Sequence, residues 1–437
     1  MARRGPHVGP MLCVAKVRTG GHAYYLEVVD SGAEARGEWL SEGASRLGLS
    51  GSVEAPELEA VLAGADPSTQ RGLGGARDRV KVAGFDLTFC APKSVSLLHA
   101  LGDSEVALEV RAGHREAVGQ ALSYVERHAL AVRRGSGARR FPQAVQGVAG
   151  AAFVHRVSRA LDPHLHTHVV VANLGMAPDG SWSALDGRGV YAHRSAAAAI
   201  YHSQLRHELT RRIGVEWGPL DRGRADIDGI APEVRRQFSR RSAQIEANLA
   251  ELGHRREAGP GEALEPEGGP RRVSSRAREV AAFATRAPRD ASLAPQTLRP
   301  EWERRAFEVG LSPRRLEATL GRVGTLTVSD RPTELSEVGE SVERSLSELG
   351  RDVARRDVVR TWCSSLPRGA HTASVSRAAD EMIAGLERSE LSAHRADRPG
   401  VGERRYEVDE LHLRTPSELD LRDDPDLRRA AMSETRR

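Results

Sequence analysis

Lysine is almost missing from this sequence. Only Lys16, Lys81 and Lys93 occur among 437 residues, so nearly every positive charge is an arginine. A nucleotide-binding loop of the G-x-x-x-x-G-K-[ST] type needs a lysine beside its glycines to reach the phosphates, and none of the three stands in that pattern. ATP hydrolysis and helicase action are therefore not expected of this chain. Cysteine is equally scarce. Cys13, Cys90 and Cys363 are scattered, which excludes a disulfide framework or a zinc knuckle and fits a reducing cytoplasm. No apolar run approaches the roughly 18 residues of a membrane-spanning helix, and the first residues, MARRGPHVGP, lack the apolar core of a secretory signal. A cytoplasmic protein without membrane insertion is expected. The net charge of +4 is compatible with a nucleic-acid partner without demanding one.

The β-branched runs and aromatic clusters fall within residues 11–230. The stretch 254–276, rich in Gly, Pro and Glu, reads as a flexible insertion. Segments beyond 312 are charged and weakly apolar, and the terminal RTPSELDLRDDPDLRRAAMSETRR reads as disordered. Strands are expected at MLCVAKVRT, RVKVAGFDLTFC, FVHRVSR and LHTHVVVANL. Helices are expected after Pro92, after Asp103 or Ser104, along Ala197–Tyr201–Leu205–Leu209, and along Val234–Phe238–Ile245–Leu249. Antiparallel strands followed by packed helices make an α+β fold.

The chemistry concentrates in AAFVHRVSRALDPHLHTHVVVANL (Ala151–Leu174). Side chains alternate along a strand, so His164, His166 and His168 can share one face. A turn centred near residues 161–162 would set His155 opposite His168, with Cβ atoms about 5 Å apart. His155, His166 and His168 would then converge as a three-imidazole metal site with open positions. Taken singly, each would read as an ordinary polar-face histidine. Two of the six tyrosines, Tyr24 and Tyr25, are adjacent in GGHAYYLE. One of them could be packing; the other could be a phenolic nucleophile that attacks a phosphodiester and stays attached to it. Asp86, inside the apolar strand GFDLTFC, needs a partner. It could orient a metal-bound histidine or accept the nucleophile's proton. Lys93, at a helix start, could hold a DNA phosphate or simply be solvated.

These stretches resemble the relaxase domain of MobF-class (TrwC/TraI-type) conjugative relaxases, of the HUH endonuclease superfamily. The resemblance rests on the tyrosine pair, GFDLTFCAPKSVSLL, FVHRVSRALDPHLHTHVVVANL with its H-x10-H-x-H spacing, and EWLSEGASRLGLSGSVEAPELEAVLAG. It covers about residues 11–310. It implies a central antiparallel sheet flanked by helices, with a helical segment closing over single-stranded DNA. It implies metal-dependent, strand-specific nicking of an origin of transfer, a 5′-phosphotyrosine adduct, and rejoining by the free 3′-OH. Tyr24 is then the nucleophile, Asp86 the acidic partner, and His155, His166 and His168 the ligands of Mg²⁺ or Mn²⁺; Zn²⁺ or Ni²⁺ would also suit three histidines. His164 has no matching role. Relaxosome accessory proteins, a coupling protein and a separate helicase are the implied partners.

Two features depart from the family pattern. A second tyrosine pair normally follows the first, but EVVDSGAEARGEW has none, leaving Tyr25 as the one nearby substitute. Residues 1–10 precede Met11, another candidate start, and form an N-terminal extension. The expected division is thus 1–10, a relaxase domain over 11–311, and 312–437. The last resembles the lead-in to a helicase in RRDVVRTWCSSLPRGAHTASVSRAADEMIAGLE, as in a truncated relaxase, and is expected to be dispensable for cleavage. The alternatives are a replication-initiator HUH endonuclease, a non-catalytic single-stranded-DNA-binding remnant, or a three-histidine zinc hydrolase.

Overall fold

The computed structural model describes residues 12–18, 25, 36–74, 82–135, 141–257, 275–285, 294–321, 332–349 and 353–397. Tyr24, the 1–10 extension, residues 258–274 of the expected insertion and the tail from 398 lie outside the described residues.

Six strands form one antiparallel sheet in the order β1–β3–β7–β6–β2, with β8 paired to β7. They are β1 Leu12–Arg18, β2 Glu38–Trp39, β3 Val82–Cys90, β6 Gly147–Val157, β7 Pro163–Met176 and β8 Trp182–Ser183; β4 Ala131–Arg134 and β5 Phe141–Ala144 make a separate ribbon. The helices among the described residues are α1 Glu42–Arg46, α2 Ala55–Leu62, α3 Lys93–Leu101, α4 Ser104–His128, α5 Arg188–Ile213, α6 Pro232–Gln237, α7 Arg240–Glu257, α8 Ser275–Ala284, α9 Pro295–Glu308, α10 Pro313–Glu317, α11 Pro332–Ser347, α12 Arg355–Ser365 and α13 Thr372–Asp397.

Strand parity fixes what each face of the sheet carries. Leu165, Thr167, Val169 and Val171 of β7, with Phe85, Leu87 and Phe89 of β3, are buried on one side. There α3, α4 and α5 complete the larger core. Asp103 caps α4, accepting a hydrogen bond from the Val106 amide at 2.8 Å. The opposite face carries Val170, Ala172 and Leu174, packed with Tyr25, Trp39, Leu58 and Phe153. His164, His166 and His168 continue that second face toward the start of β7.

The anticipated helix through Val234, Phe238, Ile245 and Leu249 is two helices. Phe238 closes α6, and α7 starts afresh at Arg240, because the Phe238 ring turns inward, fully buried, under the Arg305 guanidinium 4.4 Å above it.

Packing continues past residue 311. The chain divides into units Met1–Ala384 and Gly385–Arg437, and α12 is seated on α5 within the first. Val358, Val359, Trp362, Cys363 and Leu366 are buried in the same core as the sheet's helical face. Arg206 of α5, fully buried, donates to the carbonyls of Gly223 (2.7 Å), Cys363 (2.9 Å) and Leu366 (3.0 Å). Gln204 accepts from the Thr372 amide and hydroxyl, both at 2.8 Å. Gly369 makes the approach possible: its φ is +71°, and a Cβ there would lie 1.9 Å from the Ser203 carbonyl oxygen. Residues of 353–384 thus pack in the same core as the helical face of the sheet, across the boundary expected at 311/312.

Candidate active site

The β6–β7 hairpin brings the three spaced histidines together. His155 pairs with His166, and Phe153 with His168. The expected pairing of His155 with His168 was thus two residues out. The turn is centred earlier, across Ser158–Asp162. There the Ser158 amide donates to the Asp162 carbonyl at 2.9 Å and the Leu161 amide to the Ser158 carbonyl at 2.9 Å, and the ladder is irregular between His155 and Val157. A two-residue shift preserves parity, so the face assignment survived. The ring centroids form a near-regular triangle: His155–His166 5.2 Å, His155–His168 4.9 Å and His166–His168 5.2 Å. One nitrogen from each lies within 4.8 Å of the others.

Second nitrogens are committed elsewhere, which orients the rings. His168 Nδ1 donates to both Asp86 oxygens, at 2.8 and 3.0 Å. His166 Nδ1 donates to the His164 carbonyl at 2.8 Å. In both rings Nε2 remains as the lone-pair donor. Burial, followed by the neighbouring imidazoles, holds His166 well below the usual histidine range, so it offers a neutral ring. The donor set fits a divalent ion: three imidazole nitrogens converge, and the tautomers of His166 and His168 are fixed by their hydrogen bonds. His164 is not in that group. Its ring stacks on His166 with centroids 4.6 Å apart, and burial, then Lys93, pushes it down to about 3.

Asp86, buried in β3, links the triangle to the tyrosine segment. Its Oδ2 accepts from the Tyr25 hydroxyl at 2.8 Å, and its Oδ1 from Thr88 at 3.2 Å. Tyr25 is itself buried, with its ring against Phe153 and edge-on to His168. Thr88 was missed by sequence reasoning, although its place two residues after Asp86 put it on the same face and opposite His168.

Lys93 is half-buried rather than fully solvated. Its ammonium donates to the Pro163 carbonyl at 2.6 Å, and burial brings it down to about 8. The start of α3 is filled by a protein carboxylate: Asp226 accepts from the Ser94 amide (3.0 Å) and hydroxyl (2.7 Å) and also pairs with Arg235. Beneath the sheet, Thr167 exchanges a 2.7 Å hydrogen bond with His114 Nε2, whose Nδ1 meets the Tyr201 hydroxyl at 2.8 Å. Thr167 sits between two histidines of the triangle, so this buried chain holds the strand that carries them.

Comparison with known proteins places this geometry. The chain is 30% identical over 382 residues to the multifunctional conjugation protein TraI of Escherichia coli strain K12, covering 82% of this chain and 20% of that protein. It thus spans about a fifth of the length of the curated relatives it matches. The conjugative relaxase TrwC in complex with oriT DNA, in a metal-free structure, superposes with a TM-score of 0.57 at 29% identity, covering 69% of this chain and 99% of that one. A copper-bound structure of the TrwC–oriT complex gives 0.58 at 28% identity, covering 68% and 98%. The TrwC relaxase family profile matches residues 13–309, more than half of the chain, and the chain belongs to that family of MobF-class relaxases.

Proposed function

We propose that the chain is a conjugative relaxase that nicks one DNA strand at an origin of transfer by tyrosine transesterification and can reseal it. The observation that carries this is the carboxylate of Asp86, which accepts at once from Tyr25 and from His168 of the histidine triangle. A phenol, a carboxylate and three converging imidazoles are the parts phosphoryl transfer to tyrosine needs. The copper-bound and oriT-bound states of TrwC support both metal and DNA as ligands here.

In this mechanism Tyr24 is the nucleophile. Its phenol oxygen bonds to phosphorus, the bond from phosphorus to the 3′ oxygen breaks, and the 3′ oxygen leaves with the electron pair and takes a proton from water to become the 3′-hydroxyl. Asp86 holds His168 in its ligating tautomer and offers a carboxylate to the departing phenol proton. Tyr25, buried and bonded to that carboxylate, keeps it aimed. His155, His166 and His168 would hold Mg²⁺ or Mn²⁺, which when bound polarises the scissile phosphate and stabilises its developing charge. Because the new ester conserves the phosphodiester energy, cleavage needs no ATP. Arginine contacts to phosphate make binding weaken with salt. Accessory proteins, a coupling protein and a separate motor would complete the system in the cytoplasm.

The deciding experiment incubates the chain with candidate origin single strands and Mn²⁺, and looks for a denaturation-resistant protein–DNA adduct. Cleavage to a 5′-phosphate without an adduct would instead mark a metal-dependent hydrolase.

A further inference from the structure

The alternation of apolar and polar residues cannot by itself choose the register of the β6–β7 hairpin. A one-residue slip would turn every side chain over, but a two-residue slip keeps all faces. A slip in one direction would carry His155 about 7 Å along its strand, from opposite His166 to opposite His164, and take it out of reach of His168. What selects the observed register lies in the turn.

Asp162, 1% exposed, ends that turn. Its Oδ2 accepts from the Arg240 amide at 2.8 Å and its Oδ1 from Arg240 Nε at 2.9 Å. The Arg305 guanidinium lies 3.0 Å from the same Oδ1 and also donates to the Gln237 carbonyl at 2.5 Å. The neighbouring carbonyls are held too. Leu161, at a φ of +58°, accepts from Trp302 Nε1 at 2.9 Å. Pro163 accepts from Lys93. The Asp162 amide donates to Ser158 Oγ at 3.1 Å, which closes the loop on itself. The clamping residues come from α7 (Arg240) and α9 (Trp302 and Arg305), elements far from the turn in sequence.

A buried ion pair adds little net stability compared with an apolar filling, but it can specify one arrangement among near-equals. We propose that Asp162 is a positioning residue for the histidine triangle: held by Arg240 and Arg305, it ties the hairpin turn to α7 and α9 and sets the register that places His155 opposite His166. The inference rests on the histidines being the metal ligands. It makes the metal centre depend on how α7 and α9 are seated.

The test is Mn²⁺ binding to the full chain, by calorimetry and electron paramagnetic resonance, well below the unfolding temperature of each variant. Asp162→Asn and Arg305→Met should weaken Mn²⁺ about tenfold or more, the size expected of groups that orient ligands, and excess Mn²⁺ should restore part of the cleavage. A role in stability alone would lower the melting temperature and leave the affinity of the folded protein unchanged; that result overturns the proposal. If both variants fail to fold, Trp302→Phe decides, since it removes one hydrogen bond to the Leu161 carbonyl. A weakening of about threefold supports the clamp, and wild-type affinity refutes it. His166→Ala separates the two levels. If the wild type binds no Mn²⁺, or His166→Ala binds it equally well, the ligand assignment itself falls. If His166→Ala loses Mn²⁺ while the turn variants keep it, only the positioning role falls.

Discussion

The Tyr25 hydroxyl and His168 Nδ1 meet on the same oxygen of Asp86, each at 2.8 Å. One carboxylate thereby couples the tyrosine segment to a ring of the histidine triangle. Tyr25 is buried and already committed to this bond, so it serves better as a fixed support than as the attacking group.

Tyr24→Phe should therefore abolish the covalent adduct while leaving single-strand binding intact, because it removes one oxygen and almost no volume. Tyr25→Phe should still form the adduct, but about tenfold more slowly, matching roughly 1.4 kcal/mol for a lost hydrogen bond to a charged group. Denaturing gels report the rate, and peptide mapping reports the attachment site. An adduct peptide modified at Tyr25 would reverse the two assignments.

Asp86→Asn should weaken Mn²⁺ binding by about 10- to 100-fold, since the amide can no longer accept from His168 as a carboxylate does and the ring loses its fixed tautomer. His166→Ala and His168→Ala should lose binding, whereas His164→Ala should retain it, as His164 lies outside the convergent group. Calorimetric titration ranks the four variants, and a His164→Ala defect equal to that of His166→Ala would contradict this ligand set.

Most of this centre was legible in the sequence because a strand's period of two is rigid. Once His155, His166 and His168 were placed on strands, their common face followed. Register was not legible, because it depends on Asp162 meeting Arg240 and Arg305, contacts separated by 78 and 143 positions along the chain. Nor was the fate of Lys93, whose partner is a backbone carbonyl that no side-chain pattern announces. The docking of α12 was hidden differently. Its anchor, Arg206, looks like a surface residue in any composition-based reading, yet it is buried on three carbonyls.

That docking changes what removal of the C-terminal part should do. A chain ending at Gly321 would uncover the α5 face that Val358, Val359 and Trp362 cover, each worth roughly 1.5–3 kcal/mol of apolar burial. It would also deprive the Arg206 guanidinium of two of its three acceptors. The shortened chain should melt at least about 10 °C lower than the full one, and Arg206→Met in the full chain should reproduce part of that loss. Equal melting temperatures for the full and shortened chains would show that 353–384 is merely appended.

The last expectation concerns acid. His114 is fully buried, and burial, followed by the nearby His99, pushes it down to about 3. In the folded protein it is neutral, bridging Tyr201 and Thr167; in the unfolded chain it takes up a proton near pH 6.5. The folded pKa is depressed, so below pH 6.5 the unfolded state binds the extra proton and is favoured. The stability conferred is complete above about pH 6.5 and is lost progressively as pH falls toward 3, by roughly 1.4 kcal/mol per pH unit. His99, brought down to about 4 chiefly by its burial, acts in the same direction. Urea unfolding with EDTA present keeps metal from the triangle; His164 and His166, also held down by burial, contribute alike to wild type and variant, so the difference between the two isolates His114. Between pH 7.5 and 5 the wild type should lose about 2 kcal/mol on account of His114, and His114→Gln, which has nothing to titrate there, should lose correspondingly less. Since Thr167 lies between His166 and His168, the same acid step should loosen the strand beneath the metal ligands. Parallel losses in both proteins would show that His114 does not govern the acid limit.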